Sequence, residues 1–329
     1  MTGATGCFGR AVARALAQAG HLVTCAVRAR PGQPAADRAA ALGLPGEVVE
    51  VDLLGGLGAL HHGGWARVVH AAADTTYFAH DTRAQRRINA DVAAAVLRAT
   101  SPRTFVFIST AEVAGTRSGR ILEAEGDVGQ RFTSALQESK LAAELLLRRD
   151  AAALGVDLRI VRPVTAVGDT GSAPDAFTRF TRLLPEVAWQ PRYARSHLRV
   201  PGVKDAPLHL APVEWVAAAI AALSAAPAAA GGTFHLTTAD LTQDQFFTAL
   251  AERYSFPGLR VAQPRGARPS ARTRLEARAH ALLARHLDEL AVHRIYDDRH
   301  ARSVLDPLGL TPPSLHGPAL HRFVDALAG

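Results

Sequence analysis

Along the first 170 residues, short apolar runs alternate with stretches in which apolar side chains recur every three or four positions. Phe8, Val12, Leu16 and Ala19 keep helical spacing and Gly20 follows as a stop, which predicts a first helix. HLVTCAV (21–27) then reads as a buried strand. EVVEVDL (47–53), ARVVHAA (66–72), TFVFIST (104–110) and DLRIVRP (157–163) read the same way, and GTFHLT (232–237) is a candidate last strand. Between them lie alanine-rich helical stretches at 82–100, 132–154 and 211–225. Strands alternating with helices of this length predict an α/β chain with a Rossmann-type, doubly wound parallel sheet, and ligands at the carboxyl ends of its strands.

Past residue 168 the alternation breaks down. Pro-rich and Arg-rich stretches at 169–210 and 257–272, then helical patterns near 272–291 and 314–327, predict a small, mostly helical C-terminal lobe. The expected division is 1–168 plus 205–240 for the Rossmann domain and 169–204 plus 241–329 for a substrate-binding lobe. No internal repeat interrupts it.

Composition narrows the class. Hydrophobic residues make up 48% of 329, ample for a core. The cysteines, Cys7 and Cys25, suit reduced thiols better than a disulfide framework, and the histidines show no metal-ligand spacing, so no metal is expected. MTGATG opens the chain without a basic, apolar leader, and no run of about 18 uncharged apolar residues follows, which predicts a cytoplasmic protein with no membrane segment. The net charge of +7 gathers late, at Arg260, Arg265, Arg268, Arg272, Arg274, Arg278 and Arg285. Such a run is a solvated face or a surface for an acidic partner, such as a nucleotide-bearing substrate or an acidic carrier. No reader motif for nucleic acid accompanies it.

TGATGCFGRA sets Gly3, Gly6 and Gly9 at the opening of a helix, where glycines permit a tight turn and close approach of a pyrophosphate. Thr5, Cys7, Phe8 and Arg10 belong to the same turn. About 20 residues on, an acid would select the ribose 2′-hydroxyl and an arginine a 2′-phosphate. Here Arg28 and Arg30 end the strand, with Arg10 close to the turn, so the expected cofactor is NADP(H). A buried strand of about five residues should precede the turn, yet only Met1 and Thr2 do, so the first strand is expected to be truncated.

Lysine is scarce: Lys140 and Lys204 stand against 35 arginines among 37 basic residues. TGATGCFG, Asp52-Leu53, HAAA (70–73), Ile88-Asn89, STAEVAG (109–115), the SK at 139–140, RPVTAVG (162–168) and PVEWVA (212–217) together resemble the extended short-chain dehydrogenase/reductase family. HAAADTTY, FxxxxExSKxxAE and YDDRHARSVL resemble its thioester- and fatty-acyl-reductase branch. The resemblance implies that Asp52 and Leu53 lie at the adenine, Ala71, Ala72 and Ala73 along the cofactor, and Pro163 and Val164 beside the nicotinamide. It implies a Ser/Thr, a Tyr and a Lys as the chemical groups, with Thr110 and Lys140 as the first and third, and it leaves a homodimer through 82–100 and 132–154 open.

The tyrosine should stand one helical turn before Lys140, at residue 136, which is leucine. Leucine carries no proton, so the family's acid is missing. Tyr77, with His80 and Asp74 nearby, is the candidate replacement. The expectation is an NADP(H)-binding oxidoreductase acting on a carbonyl or a carrier- or CoA-linked thioester of bacterial specialised metabolism. A non-redox dehydratase, isomerase or cyclase and a non-catalytic sensor are the alternatives.

Overall fold

The structure, a computed structural model, describes residues 1–61, 64–168, 176–188, 197–238, 240–263 and 271–328, with the backbone alone for Cys7 and Ala328. In chain order the strands are β1 (Thr24–Val27), β2 (Glu47–Glu50), β3 (Arg67–His70), β4 (Thr104–Ile108), β5 (Gly119–Ile121), β6 (Asp157–Pro163), β7 (Thr165–Val167), β8 (Leu198–Pro201), β9 (Leu210–Pro212), β10 (Thr233–Leu236), β11 (Leu259–Ala262) and β12 (Arg294–Tyr296). The helices are α1 (Cys7–Gln18), α2 (Ala35–Ala41), α3 (Thr82–Arg86), α4 (Val92–Thr100), α5 (Ala135–Leu154), α6 (Ala176–Ala188), α7 (Val213–Ala225), α8 (Gln243–Arg253), α9 (Arg274–Leu282), α10 (Leu287–Leu290), α11 (Arg299–Leu305) and α12 (Pro318–Ala328).

The main sheet runs β2-β1, then β3-β4-β6-β10, every pair parallel. Its two parts meet at Thr2, which bridges Ala26 on one side and His70 on the other. Thr2 N donates to Val69 O at 3.0 Å, and Ala26 N to Met1 O at 2.8 Å. The slot in which the sequence predicts a five-residue strand is thus held by Met1 and Thr2, and there the strand order reverses, opening a crevice at the carboxyl ends.

Local sequence explains the elements. TFVFI of β4 is buried at all five positions, as a central parallel strand covered on both faces must be. On one side α1 and α7 cover the sheet through Val12, Ala13, Leu16, Val216 and Ile220. On the other, α4 and α5 cover it through Val96, Leu97, Ala143 and Leu147. The predicted helix at 82–100 is continuous from α3 to α4, with a π-turn at Arg87–Asp91 that turns buried Asn89 inward. Ser134 caps α5 by accepting from Gln137 N, and Gly155 ends it at φ 65°.

The lobe has its own core. Phe177, Phe180, Phe246, Phe247, Leu250 and Val324 join α6, α8, α9 and α12 to the parallel pair β8-β11. The C-terminal stretch divides between the two cores: β12 pairs with β5, while Tyr296, Ala301, Val304 and Leu305 pack with the sheet. The predicted helix over 272–291 forms as α9 and α10, separated by a turn, and the segment carrying Tyr77 and His80 is a loop rather than a helix. Arg265 and Arg268 lie outside the described residues. Among the described residues, no helix is long and apolar enough to cross a membrane.

Candidate active site

A cleft of about 710 Å³ opens at the strand reversal. The glycine turn forms one wall. Gly3 has φ +75°, and a Cβ there would lie 2.5 Å from Ala71 C and Ala72 N, so the turn sits against the end of β3 only because the side chain is hydrogen. A Cβ at Gly9 would lie 2.0 Å from Gly3 O. Gly6 caps α1 without a side-chain acceptor, leaving the first amides of the helix without one. Beneath the turn, His70 is fully buried with Nδ1 3.0 Å from Thr2 Oγ1. Burial first, and the nearby Lys140 cation second, push its pKa down to about 3, which keeps the ring neutral.

Thr5, Phe8, Arg28, Asp52, Leu53, Ala71, Ala72, Ala73, Pro163 and Val164 line the cleft with Gly3, Gly6 and Gly9. Of the three arginines expected there, Arg28 alone lines the cleft; Arg30 and Arg10 do not. Arg10 projects from α1 into the protein and is 6% exposed. Beside Arg28 the cleft is lined instead by Arg38, which the sequence reading missed. Arg38 donates to Arg28 O at 2.7 Å and Thr5 Oγ1 at 3.2 Å. Burial, then the like charges of Arg30 and Arg28, lower its pKa. Helix α2 brings it there, ten residues beyond the strand end where an arginine was sought. No motif marks it.

Leu136, Lys140 and Glu144 share the buried face of α5 at four-residue spacing. Leu136 and Lys140 line the cleft with Thr110, Ser109 and Ile108. The Lys140 Nζ donates to Ile108 O at 2.8 Å and lies 4.8 Å from the centre of the Phe107 ring. Burial lowers its pKa to about 8, with the Glu144 charge opposing. Glu144 is itself matched to Arg162, both 1% exposed, and accepts from Ser109 Oγ at 2.5 Å. Thr110 Oγ1 accepts from Glu112 N at 3.2 Å and so starts the turn after β4. Asn89 Nδ2 donates to Asp74 O and Ser139 Oγ, both at 2.9 Å, locking the π-turn to the cleft floor and α5.

Tyr77 is not brought to the cleft. It is 8% exposed, its hydroxyl is 2.9 Å from Thr133 Oγ1, and the Arg285 guanidinium sits 5.6 Å from its ring centre. His80 is exposed on the loop, while Asp74 lines the cleft. In front of Tyr77 stands a group that sequence spacing gave no reason to join: Glu112, Arg285 and His286 line the cleft together, with Glu289 behind them. Carboxylate oxygens of Glu112 and Glu289 and a ring nitrogen of His286 lie within 4.8 Å of one another, and Arg285 Nη2 is 3.6 Å from Glu112 Oε1. The signal lay 174 residues apart in the chain.

These residues fit a dinucleotide: a glycine cradle against a helix N-terminus, arginines at one end of the cleft, and a buried lysine at the other. The family model of the NAD dependent epimerase/dehydratase family matches residues 1–194. No curated protein matches this sequence. Among solved structures, the terminal R domain from the myxalamid PKS-NRPS biosynthetic pathway is 23% identical, with 99% of this chain and 89% of that chain covered and a TM-score of 0.73. A thiolation-reductase di-domain from an archaeal non-ribosomal peptide synthetase is 17% identical over 99% and 74%, at 0.71. UDP-glucuronic acid 4-epimerase from Bacillus cereus, in complex with UDP-glucuronic acid and NAD, is 17% identical over 99% and 96%, at 0.69. Likeness at these identities is one of fold, an extended short-chain dehydrogenase/reductase with an NAD(P)-binding Rossmann domain. With more than half its length matched, the chain belongs to the NAD dependent epimerase/dehydratase family.

Proposed function

We propose that the chain is an NADP(H)-dependent oxidoreductase that reduces a carbonyl or a carrier- or CoA-linked thioester of bacterial specialised metabolism, in the cytoplasm. The observation that carries the cofactor choice is the Arg28, Arg30 and Arg38 cluster. Arg28 and Arg38 line the cleft, and burial, then the like charges of Arg30 and Arg28, lower the Arg38 pKa. A 2′-phosphate relieves that repulsion, whereas a free 2′-hydroxyl does not.

In this reading the Gly3 to Gly9 turn takes the pyrophosphate at the N-terminus of α1, Asp52 and Leu53 flank the adenine, and Ala71 to Ala73 run along the dinucleotide. Lys140 holds the nicotinamide ribose, and Pro163 and Val164 keep the ring against the strand ends. When bound and reduced, the nicotinamide supplies hydride. Thr110 orients the substrate oxygen. The likeness to reductase domains of assembly-line synthetases supports a tethered substrate. Pairing of two copies through α4 and α5 is part of the same reading.

One observation favours a second reading: Leu136 removes the hydroxyl that the family uses for carbonyl reduction, which suits non-redox chemistry such as dehydration, isomerisation or cyclisation. NADPH oxidation with octanal and with octanoyl coenzyme A separates the two. Turnover on either supports the reductase. Tight NADPH binding with no turnover on both favours the second reading.

A further inference from the structure

With leucine at residue 136, the cleft needs another group that holds a proton where a substrate oxygen lies. We infer that Glu112, partnered by His286, is that group: a carboxyl on the turn after β4 that exchanges the proton which the family's tyrosine would carry. The inference rests on the reductase reading above.

Geometry carries it. Glu112 lines the cleft together with Thr110, Leu136 and Lys140, yet is only 8% exposed. Its Oε2 and the Nδ1 of His286, a residue 2% exposed, both lack a hydrogen-bond partner. A buried carboxylate oxygen without a donor costs about 1–3 kcal/mol or more, and a carboxyl proton removes part of that cost. Around it face Arg285, His286 and Glu289 from the α10 segment, Arg294 and Tyr296 from β12, and Tyr77 from the loop after β3. Burial, then the Glu289 charge, raise the Glu112 pKa, while Arg285, His286 and the Gln137 side chain oppose. For Glu289 burial works upward, but His286 and the surrounding cations carry it below its ordinary value. Of the two carboxyls, the one lining the cleft is therefore the more readily protonated, and the one behind it the less.

The step is a proton transfer. An O–H bond of the Glu112 carboxyl breaks and one forms on the substrate oxygen; the two electrons of the reduction belong to the nicotinamide dinucleotide. Glu112 regains its proton from solvent in the cleft, which it lines beside His286, the ring nitrogen lying within 4.8 Å of its carboxyl. Arg285 steadies the carboxylate that is left, at 3.6 Å.

The test uses the full chain, NADPH and octanal. Glu112→Gln should lower kcat roughly 100-fold or more while NADPH affinity stays put. Leu136→Tyr in the Glu112→Gln background should recover turnover, and the alkaline limb of the wild-type pH profile should be absent from the double variant. Infrared titration of the apo protein should show a carboxyl that keeps its proton above the ordinary glutamate range and that Glu112→Gln removes; this readout does not depend on turnover. An unchanged kcat in Glu112→Gln overturns the inference and leaves the reductase reading standing. If the wild type turns over neither probe, the reductase reading fails, and an infrared spectrum with no protonated carboxyl then overturns this inference as well. Loss of turnover on chelation, with recovery on adding Zn²⁺, also overturns it, since Glu112, His286 and Glu289 then hold a cation.

Discussion

Replacing Lys140 with methionine should stabilise the apo protein at neutral pH, and the gain should fade as pH rises. Lys140 is 5% exposed, and burial lowers its pKa from 10.5 to about 8. A cation held that far below its ordinary pKa costs about 3 kcal/mol of folding free energy at pH 7. Methionine matches the stem and carries no charge, but it leaves Ile108 O without the Lys140 Nζ donor, a loss of about 1–2 kcal/mol. The net expectation at pH 7 is about 1–2 kcal/mol in favour of the variant. Between pH 8 and 10.5 the unfolded wild type binds the proton that the folded wild type has released, so wild-type stability climbs relative to the variant across that window. Urea unfolding of both proteins at pH 7 and pH 10 measures this, and other titrations cancel in the difference. A constant difference, or one that grows in favour of the variant with pH, would refute the burial argument for Lys140.

Other consequences follow from the same contacts. Leu136→Tyr, at a lining position 5% exposed, should cost about 1–3 kcal/mol of stability through overpacking and raise octanal turnover; no gain would mean that residue 136 does not face a reacting oxygen. Arg162→Leu leaves Glu144 buried without its cation and should lower the urea-derived stability by about 3–5 kcal/mol, and a loss below about 1 kcal/mol would count against the ion pair. Tyr77→Phe gives up the contact with Thr133 and should cost about 0.5–1.5 kcal/mol with kcat unchanged, contrary to the role its sequence position suggested.

What the sequence made legible was local. The positive φ at Gly3 and the contact distance at Gly9 belong to a turn readable from TGATGCFG, and Lys140 announced itself by its scarcity and by its spacing from residue 136. The parallel, doubly wound sheet followed from alternation, because a parallel sheet demands buried apolar runs such as TFVFI. What depended on tertiary packing stayed hidden. Arg10 looked equivalent to Arg28 in the chain, yet it sits on the inward face of α1 and is buried. Arg38 reaches the cleft because α2 packs back on β1 and β2, a placement with no signature in sequence. Glu112 read as part of STAEVAG and His286 as part of an arginine-rich run, and only the fold of the lobe onto the sheet domain joins them.

The central claim is that this cleft selects a dinucleotide bearing a 2′-phosphate, and calorimetric titration of the full chain with NADPH and then NADH tests it most directly. Charge-assisted hydrogen bonds from Arg28 and Arg38 are worth about 1.5–3 kcal/mol each, so even one of them predicts NADPH binding roughly 10- to 100-fold tighter than NADH. Equal affinities, or tighter NADH, would contradict the account.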